Sequence, residues 1–103
     1  MMNIIQKIES SALANGLQLN ISGDKRTRIL YGKVYDKPYK IISPANNFYL
    51  FASLCTSLVQ NKQCEFISYG NGGYKAFFTE GNFKVEVQNI TNGSNIICIY
   101  KIK

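Results

Sequence analysis

The chain has 103 residues, the length of one domain, so we expect a single domain over residues 1–103. Hydrophobic residues make up 46% of the chain, which is typical of a globular protein and excludes a disordered one. The 12 basic and six acidic residues give a net charge of +6, which favours acidic partners and argues against a protein that mimics DNA.

Histidine is absent, and the three cysteines, Cys55, Cys64 and Cys98, are scattered without a CxxC motif. Catalysis and metal binding that need an imidazole are therefore excluded, and the cysteine spacing does not predict a metal site. The first ten residues, MMNIIQKIES, become polar and charged too early for a signal peptide. We expect a cytoplasmic protein with reduced, mostly buried thiols, no metal and no other cofactor.

The first predicted element is a helix over Met2–Asn15, which ends at Asn15-Gly16. Four apolar residues at helical spacing form its buried face: Ile4, Ile5, Ile8 and Ala12. Alternating apolar and polar residues then predict a half-buried strand over Leu17–Ser22. Two further strands, Thr27–Tyr35 and Pro38–Ser43, are predicted to form a hairpin joined by Asp36-Lys37.

The next predicted element is a central helix over Ser43–Lys62. Two apolar rows at helical spacing cover most of its circumference: Phe48, Phe51, Ala52, Cys55 and Val59 in one row, and Leu50, Leu54 and Leu58 in the other. Ser43 before Pro44 suits the N-cap, and Asn46 and Asn47 are the alternatives. A helix this apolar needs cover over most of its surface, so we expect a sheet packed on it.

A membrane span is the competing interpretation of this segment, because no charged residue occurs from Ile41 to Asn61. Its unbroken apolar part, Phe48–Val59, is 12 residues long. A transmembrane helix needs about 20 apolar residues, so we expect a buried helix and no membrane association.

Four strands are predicted after the central helix: Cys64–Tyr69, Tyr74–Thr79, Phe83–Ile90 and Asn95–Ile102. Turn sequences rich in Asn and Gly separate the last three. Phe83, Val85 and Val87 alternate with Lys84, Glu86 and Gln88, which predicts one apolar and one polar face. The last strand is apolar on both faces, which suits either a central position in the sheet or a homodimer contact.

The predicted order is therefore α-βββ-α-ββββ, an α+β fold with two antiparallel β-meanders and the sheet packed on the central helix. No sequence motif for catalysis is present, and the six carboxylates are spread along the chain. Cys55 lies on the apolar face of the central helix, where a core role is expected. We predict no enzyme and no catalytic residue, although a small-molecule pocket between helix and meander stays an alternative.

The candidate binding site is the predicted hairpin, because residues 25–40 include six basic residues and a single carboxylate, Asp36. If Asp36-Lys37 is its loop, Lys33 lies opposite Lys40, a like-charge pair that an anionic partner would relieve. The core face of this hairpin is predicted to hold Leu30, Val34, Tyr39 and Ile41. The predicted partner-binding residues are Arg26, Arg28, Tyr31, Lys33, Tyr35, Lys37 and Lys40.

Tyrosine rings beside cations suit an acidic protein surface, and they also suit stacked bases and phosphates. A solvated hairpin face is the third interpretation. The chain is rich in Ile, Asn and Lys, whose codons are AT-rich, as in many phage and mobile-element genomes. The leading hypothesis is a small interaction protein, of the kind that inhibits a host or defence protein, and the alternative is a nucleic-acid-binding module.

Overall fold

The computed structural model describes residues 2–22, 28–30, 33–35, 39–60, 62–69, 72–90 and 94–102; for residues 28–30, 33–35, 90 and 94 it describes the backbone alone. Within these ranges the chain forms two helices and eight strands. In chain order they are α1 (Ile4–Ala14), β1 (Leu19–Ser22), β2 (Arg28–Leu30), β3 (Lys33–Tyr35), β4 (Lys40–Pro44), α2 (Phe48–Val59), β5 (Glu65–Ser68), β6 (Tyr74–Glu80), β7 (Phe83–Ile90) and β8 (Ser94–Lys101).

Six strands form one antiparallel sheet in the order β1-β4-β8-β7-β6-β5, and β2 pairs with β3 in a separate two-stranded sheet. Helix α2 packs on β8 and β4 of the large sheet and against α1. The predicted α+β fold, with a sheet packed on the central helix, is confirmed. The predicted element order holds with one change, since the single strand predicted over 27–35 is divided into β2 and β3.

Helix α1 begins where its sequence allows a capping box at Asn3 and Gln6. The Asn3 side chain accepts the Gln6 backbone N–H at 2.9 Å, and the Gln6 side chain accepts the Asn3 backbone N–H at 3.0 Å. The helix ends before Gly16, whose φ of 70° is a left-handed conformation that glycine adopts without strain. The predicted buried face is confirmed in full by Ile4, Ile5, Ile8 and Ala12.

Helix α2 is shorter than predicted, because β4 extends through Pro44 and includes Ser43. Asn47 is the N-cap, and its side chain accepts the Leu50 backbone N–H at 3.1 Å. The first choice of Ser43 as N-cap was therefore wrong, and the Asn47 alternative is confirmed. Phe48 was also misplaced on the buried face, since it opens the helix beyond the covered part and is 65% exposed.

The core lies between the helices and one face of the large sheet. Strand β8 lies between β4 and β7, and its Ile97 and Ile99 are fully buried. This central position accounts for the apolar sequence of β8 on both faces. Phe51 and Cys55 of α2 are also fully buried and belong to the same cluster.

Strand β7 has the predicted bounds, and its predicted division into an apolar and a polar face holds. Val85 and Val87 are buried, as expected. Glu86 and Gln88 lie on the opposite, polar face and are buried as well, at 7% and 8% exposed. The Gln88 side chain donates a hydrogen bond to Glu86, and the Tyr100 hydroxyl donates to the same carboxylate oxygen at 3.4 Å. These hydrogen bonds satisfy the buried carboxylate.

The predicted pairing of the basic hairpin was wrong. Lys33 lies opposite Leu30 within the β2–β3 pair, whereas Lys40 lies opposite Ile99 of β8. The pairing differs because β4 takes β1 and β8 as its neighbours in the large sheet. The core-facing residue of β4 is therefore Ile42, which is fully buried, and the predicted Ile41 is half-buried.

Candidate interaction surface

Cations and aromatic rings collect at one end of the large sheet, where β4 and β7 begin and β8 ends. These ends coincide because the three strands are neighbours with antiparallel registers. We call this region the cationic end, and it consists of Tyr39, Lys40, Phe83, Lys84 and Lys101.

Tyr39 is the centre of the cationic end and is 39% exposed. Its ring is stacked on the ring of Phe83, with centroids 6.0 Å apart and an interplanar angle of 25°. The Lys101 ammonium lies 4.0 Å from the centroid of the Tyr39 ring, and the Lys40 ammonium lies 5.3 Å from it. Two cations are thus held beside one tyrosine by contacts with its π system.

Lys84 extends the positive charge around the end of the sheet, with its ammonium 5.2 Å from the centroid of the Phe77 ring. In the described part of the chain, none of Lys40, Lys84 and Lys101 has a carboxylate within ion-pair distance. Lys7 and Lys62 differ in this respect, because both bind the carboxylate of Glu80. Within the described residues, the charge of the cationic end is therefore not compensated by an ion pair.

The structure places one predicted binding side chain, Lys40, in the cationic end. For Arg28, Lys33 and Tyr35 it describes the backbone in β2 and β3, where Arg28 lies opposite Tyr35. The remaining predicted residues, Arg26, Tyr31 and Lys37, lie outside the described residues.

Sequence reasoning missed Phe83, Lys84 and Lys101 as members of this surface, and it assigned Tyr39 to the core. Phe83 and Lys101 lie opposite each other in the β7–β8 pair, far from Tyr39 in sequence. Local sequence patterns do not predict that these residues come together with Tyr39, because the contact depends on the pairing of β4 with β8. The only local signal was Tyr39 itself, as one of three tyrosines interleaved with the basic residues.

Cys55 is buried in the core within α2. Burial raises the pKa of the Cys55 thiol from 9.0 to about 12, and a hydrogen bond with Asn95 opposes this rise only in part. A thiol with so high a pKa stays protonated and is a poor nucleophile near neutral pH. Among the described residues, no group of three or more cysteine, aspartate and glutamate side chains is arranged to hold a metal ion.

An open groove with a volume of about 870 Å³ lies between α1 and β1. Its lining includes the exposed side chains of Leu13 and Ile21, and Glu9 is its one carboxylate. The sequence left open, as an alternative, a small-molecule pocket between a helix and a meander. This groove does not combine an enclosed volume with convergent polar groups, which a small-molecule site needs.

No helix in the described part of the chain is both long and apolar enough to span a membrane. Comparisons with protein-family models, with curated proteins and with solved structures found no match.

Proposed function

We propose that the chain is a small non-enzymatic interaction protein that binds an acidic surface of a partner protein. Its binding surface is the cationic end together with the adjoining basic, tyrosine-rich segment over residues 26–37. The observation that carries the proposal is the position of the Lys101 and Lys40 ammonium groups, 4.0 and 5.3 Å from the Tyr39 ring centroid. Cations held beside an exposed tyrosine suit the carboxylates and mixed surface of a protein partner.

The arrangement of Tyr39 favours a protein partner over a nucleic acid. Binding of single-stranded nucleic acid depends on aromatic faces that are open to stacked bases. The Tyr39 ring is already stacked on Phe83 and carries the ammonium groups of Lys40 and Lys101. The Tyr39 ring therefore already contacts side chains of its own chain, which leaves little room for a stacked base. The ammonium groups of the two lysines are the groups that a partner would contact.

The adjoining segment supplies further groups of the same kind. In the β2–β3 pair the backbone register sets Arg28 opposite Tyr35. The full set of proposed contact residues in the segment is Arg26, Arg28, Tyr31, Lys33, Tyr35 and Lys37. Arginine and tyrosine are the residue types enriched at the centres of protein interfaces.

We further propose a cytoplasmic protein of a phage or mobile element, with a host or defence protein as its target. Small size, positive charge and an abundance of Ile, Asn and Lys, whose codons are AT-rich, support this origin. Inhibition by occlusion of an acidic surface needs no catalytic group, which fits a chain without histidine.

The test compares charge reversals at the two ends of the sheet. Lys101→Glu changes the cationic end, whereas Lys75→Glu changes the start of β6, at the opposite end. Both substitutions lower the net charge by the same amount, so a general charge effect would weaken binding equally. We expect tagged wild-type protein and Lys75→Glu to retain a nuclease-resistant protein partner, and Lys101→Glu to lose it.

The partner identified in this way is then purified, and its affinity is measured with each variant at low and moderate salt. A loss of about tenfold or more, confined to the cationic end, supports the proposal. Lys33→Glu alone tests the adjoining segment. Equal affinity for the wild type and all of these variants contradicts the proposed surface. Bound material that absorbs at 260 nm, dissociates with salt and is removed by nuclease instead supports the nucleic-acid alternative.

A further inference from the structure

The edge of the large sheet at β5 is open and apolar. Among the strands that the structure describes, β5 is the last in the sheet order and pairs with β6 alone. All four of its residues are exposed, including Phe66 at 60% and Ile67 at 51%. An exposed apolar edge strand is a template for pairing with another strand, and soluble proteins usually block such an edge. In β5 the only charged residue is Glu65.

The β5–β6 register shows which backbone groups are available at this edge. The Tyr69 N–H donates to the Gly73 carbonyl at 2.9 Å, and the register continues from there to Glu65 opposite Phe77. Hydrogen-bonded and non-hydrogen-bonded pairs alternate along an antiparallel ladder. The N–H and C=O groups of Glu65 and Ile67 therefore point toward β6, and those of Phe66 and Ser68 point outward.

We propose that this edge pairs with β5 of a second copy of the chain, antiparallel and about a two-fold axis through Phe66. In this register the outward groups of Phe66 bond to those of Phe66 in the second copy, and the two rings lie side by side on the same face. The two large sheets then form one continuous sheet across the dimer. The contact is isologous, so it closes after two copies.

Charge complementarity favours a second copy as the occupant. With Phe66 on the axis, Glu65 lies opposite Ile67 of the second copy, whose neighbour in β6 is Lys75. Two strand spacings, about 9.5 Å, then separate Glu65 from Lys75 of the second copy, within the combined reach of both side chains. In the described part of the chain neither residue has an ion-pair partner. The two-fold symmetry of the dimer produces this Glu65–Lys75 ion pair twice.

A four-residue edge forms a small interface, so we expect a dissociation constant in the micromolar range, accessible at about 1–100 µM protein. The measurement is sedimentation velocity of the whole chain over this range. Ser68→Pro removes an outward N–H and leaves the ladder to β6 intact, because proline is tolerated where an edge N–H faces solvent. We expect it to weaken self-association at least tenfold while retaining the wild-type melting temperature. Ile67→Pro is the contrasting variant, since it removes an inward N–H and lowers the melting temperature.

A charge swap provides an independent arm that does not alter the backbone. Glu65→Lys and Lys75→Glu should each weaken self-association, and the double variant should restore it. A wild-type chain that remains monomeric throughout the range overturns the proposal, including the case in which β5 binds a strand of a different protein. Self-association that is unchanged by Ser68→Pro and by both single charge variants also overturns it.

Discussion

The ammonium of Lys7 on α1 lies 3.3 Å from the carboxylate of Glu80 at the end of β6. The second oxygen of the same carboxylate lies 3.4 Å from Lys62, which follows α2. One carboxylate thus ties both helices to the sheet. Lys62 also lies over the Phe78 ring, 4.1 Å from its centroid, which fixes its position further.

Glu80→Gln should lower the free energy of unfolding by about 0.5–1.5 kcal/mol, because two partly exposed ion pairs are lost. The loss should shrink at high salt, where such pairs are screened. Urea unfolding at low and high salt measures both effects. Glu9→Gln is the matched control, since Glu9 is exposed on α1 and forms no ion pair within the described residues. An equal effect of the two substitutions would show that the Glu80 contacts do not contribute.

Phe51 and Phe48 give a sharp comparison within one helix, since Phe51 is fully buried and Phe48 is exposed. Phe51→Ala should lower the free energy of unfolding by about 3–5 kcal/mol, enough to unfold much of a small domain. Phe51→Leu should cost about 1 kcal/mol and keeps the comparison measurable if the alanine variant does not fold. Phe48→Ala should change stability by less than about 0.5 kcal/mol. Chemical denaturation checks all three, and a large loss at Phe48 would contradict the position of α2.

Asn47→Ala should lower the free energy of unfolding by about 1 kcal/mol, because it removes the side chain that accepts the Leu50 N–H. Ser43→Ala should have a much smaller effect, since Ser43 lies within β4 and does not cap the helix. Thermal unfolding of both variants separates the two candidates for the N-cap. If Ser43→Ala were the more damaging, the helix would begin earlier than the structure shows.

Stability should fall at alkaline pH because of Cys55. Its folded pKa of about 12 lies above its ordinary value of 9.0, so the folded state holds the proton more tightly than the unfolded state. The resulting stability is complete below about pH 9 and is lost as pH rises toward 12, by up to about 1.4 kcal/mol per pH unit. Burial also raises the pKa of Tyr74, which adds a loss in the same direction.

Unfolding free energies of the wild type and Cys55→Val, measured from pH 7 upward, check this prediction. We expect a shallower alkaline decline in the variant, in which the part of the Tyr74 contribution caused by burial remains and the part caused by Cys55 is lost. In native protein, thiol reagents should modify the partly exposed Cys64 before the buried Cys55. The same alkaline decline in both proteins would show that Cys55 does not cause it.

Several parts of the fold follow from local sequence. The apolar spacing of Ile4, Ile5, Ile8 and Ala12 predicted the buried face of α1, because a helix periodicity depends only on neighbouring residues. The bounds of β7 were also predicted, since turn residues flank a regular alternation. The antiparallel sheet on the central helix followed from short connections between strands.

The pairing of β4 and the burial of Glu86 could not be predicted in this way. Lys40 pairs with Ile99, which is far away in the sequence. No local sequence rule favours this pairing over a hairpin in which Lys40 pairs with Lys33. The alternation of β7 shows that Glu86 and Val87 face opposite sides, but it does not show whether the polar side meets solvent. The cationic end depends on the same long-range pairing, so its Lys101 was missed for the same reason.

The central position of β8 has a consequence for the order in which the protein can be assembled during translation. Strands β1 and β4 form one half of the large sheet and β5 to β7 form the other, and β8 alone joins the halves. β8 leaves the ribosome after all of these strands. Until it does, β4 and β7 each have one edge with unpaired backbone groups exposed to solvent. Folding of the full sheet therefore completes only after β8 has emerged, and a chain that stops before Ser94 would keep both edges open.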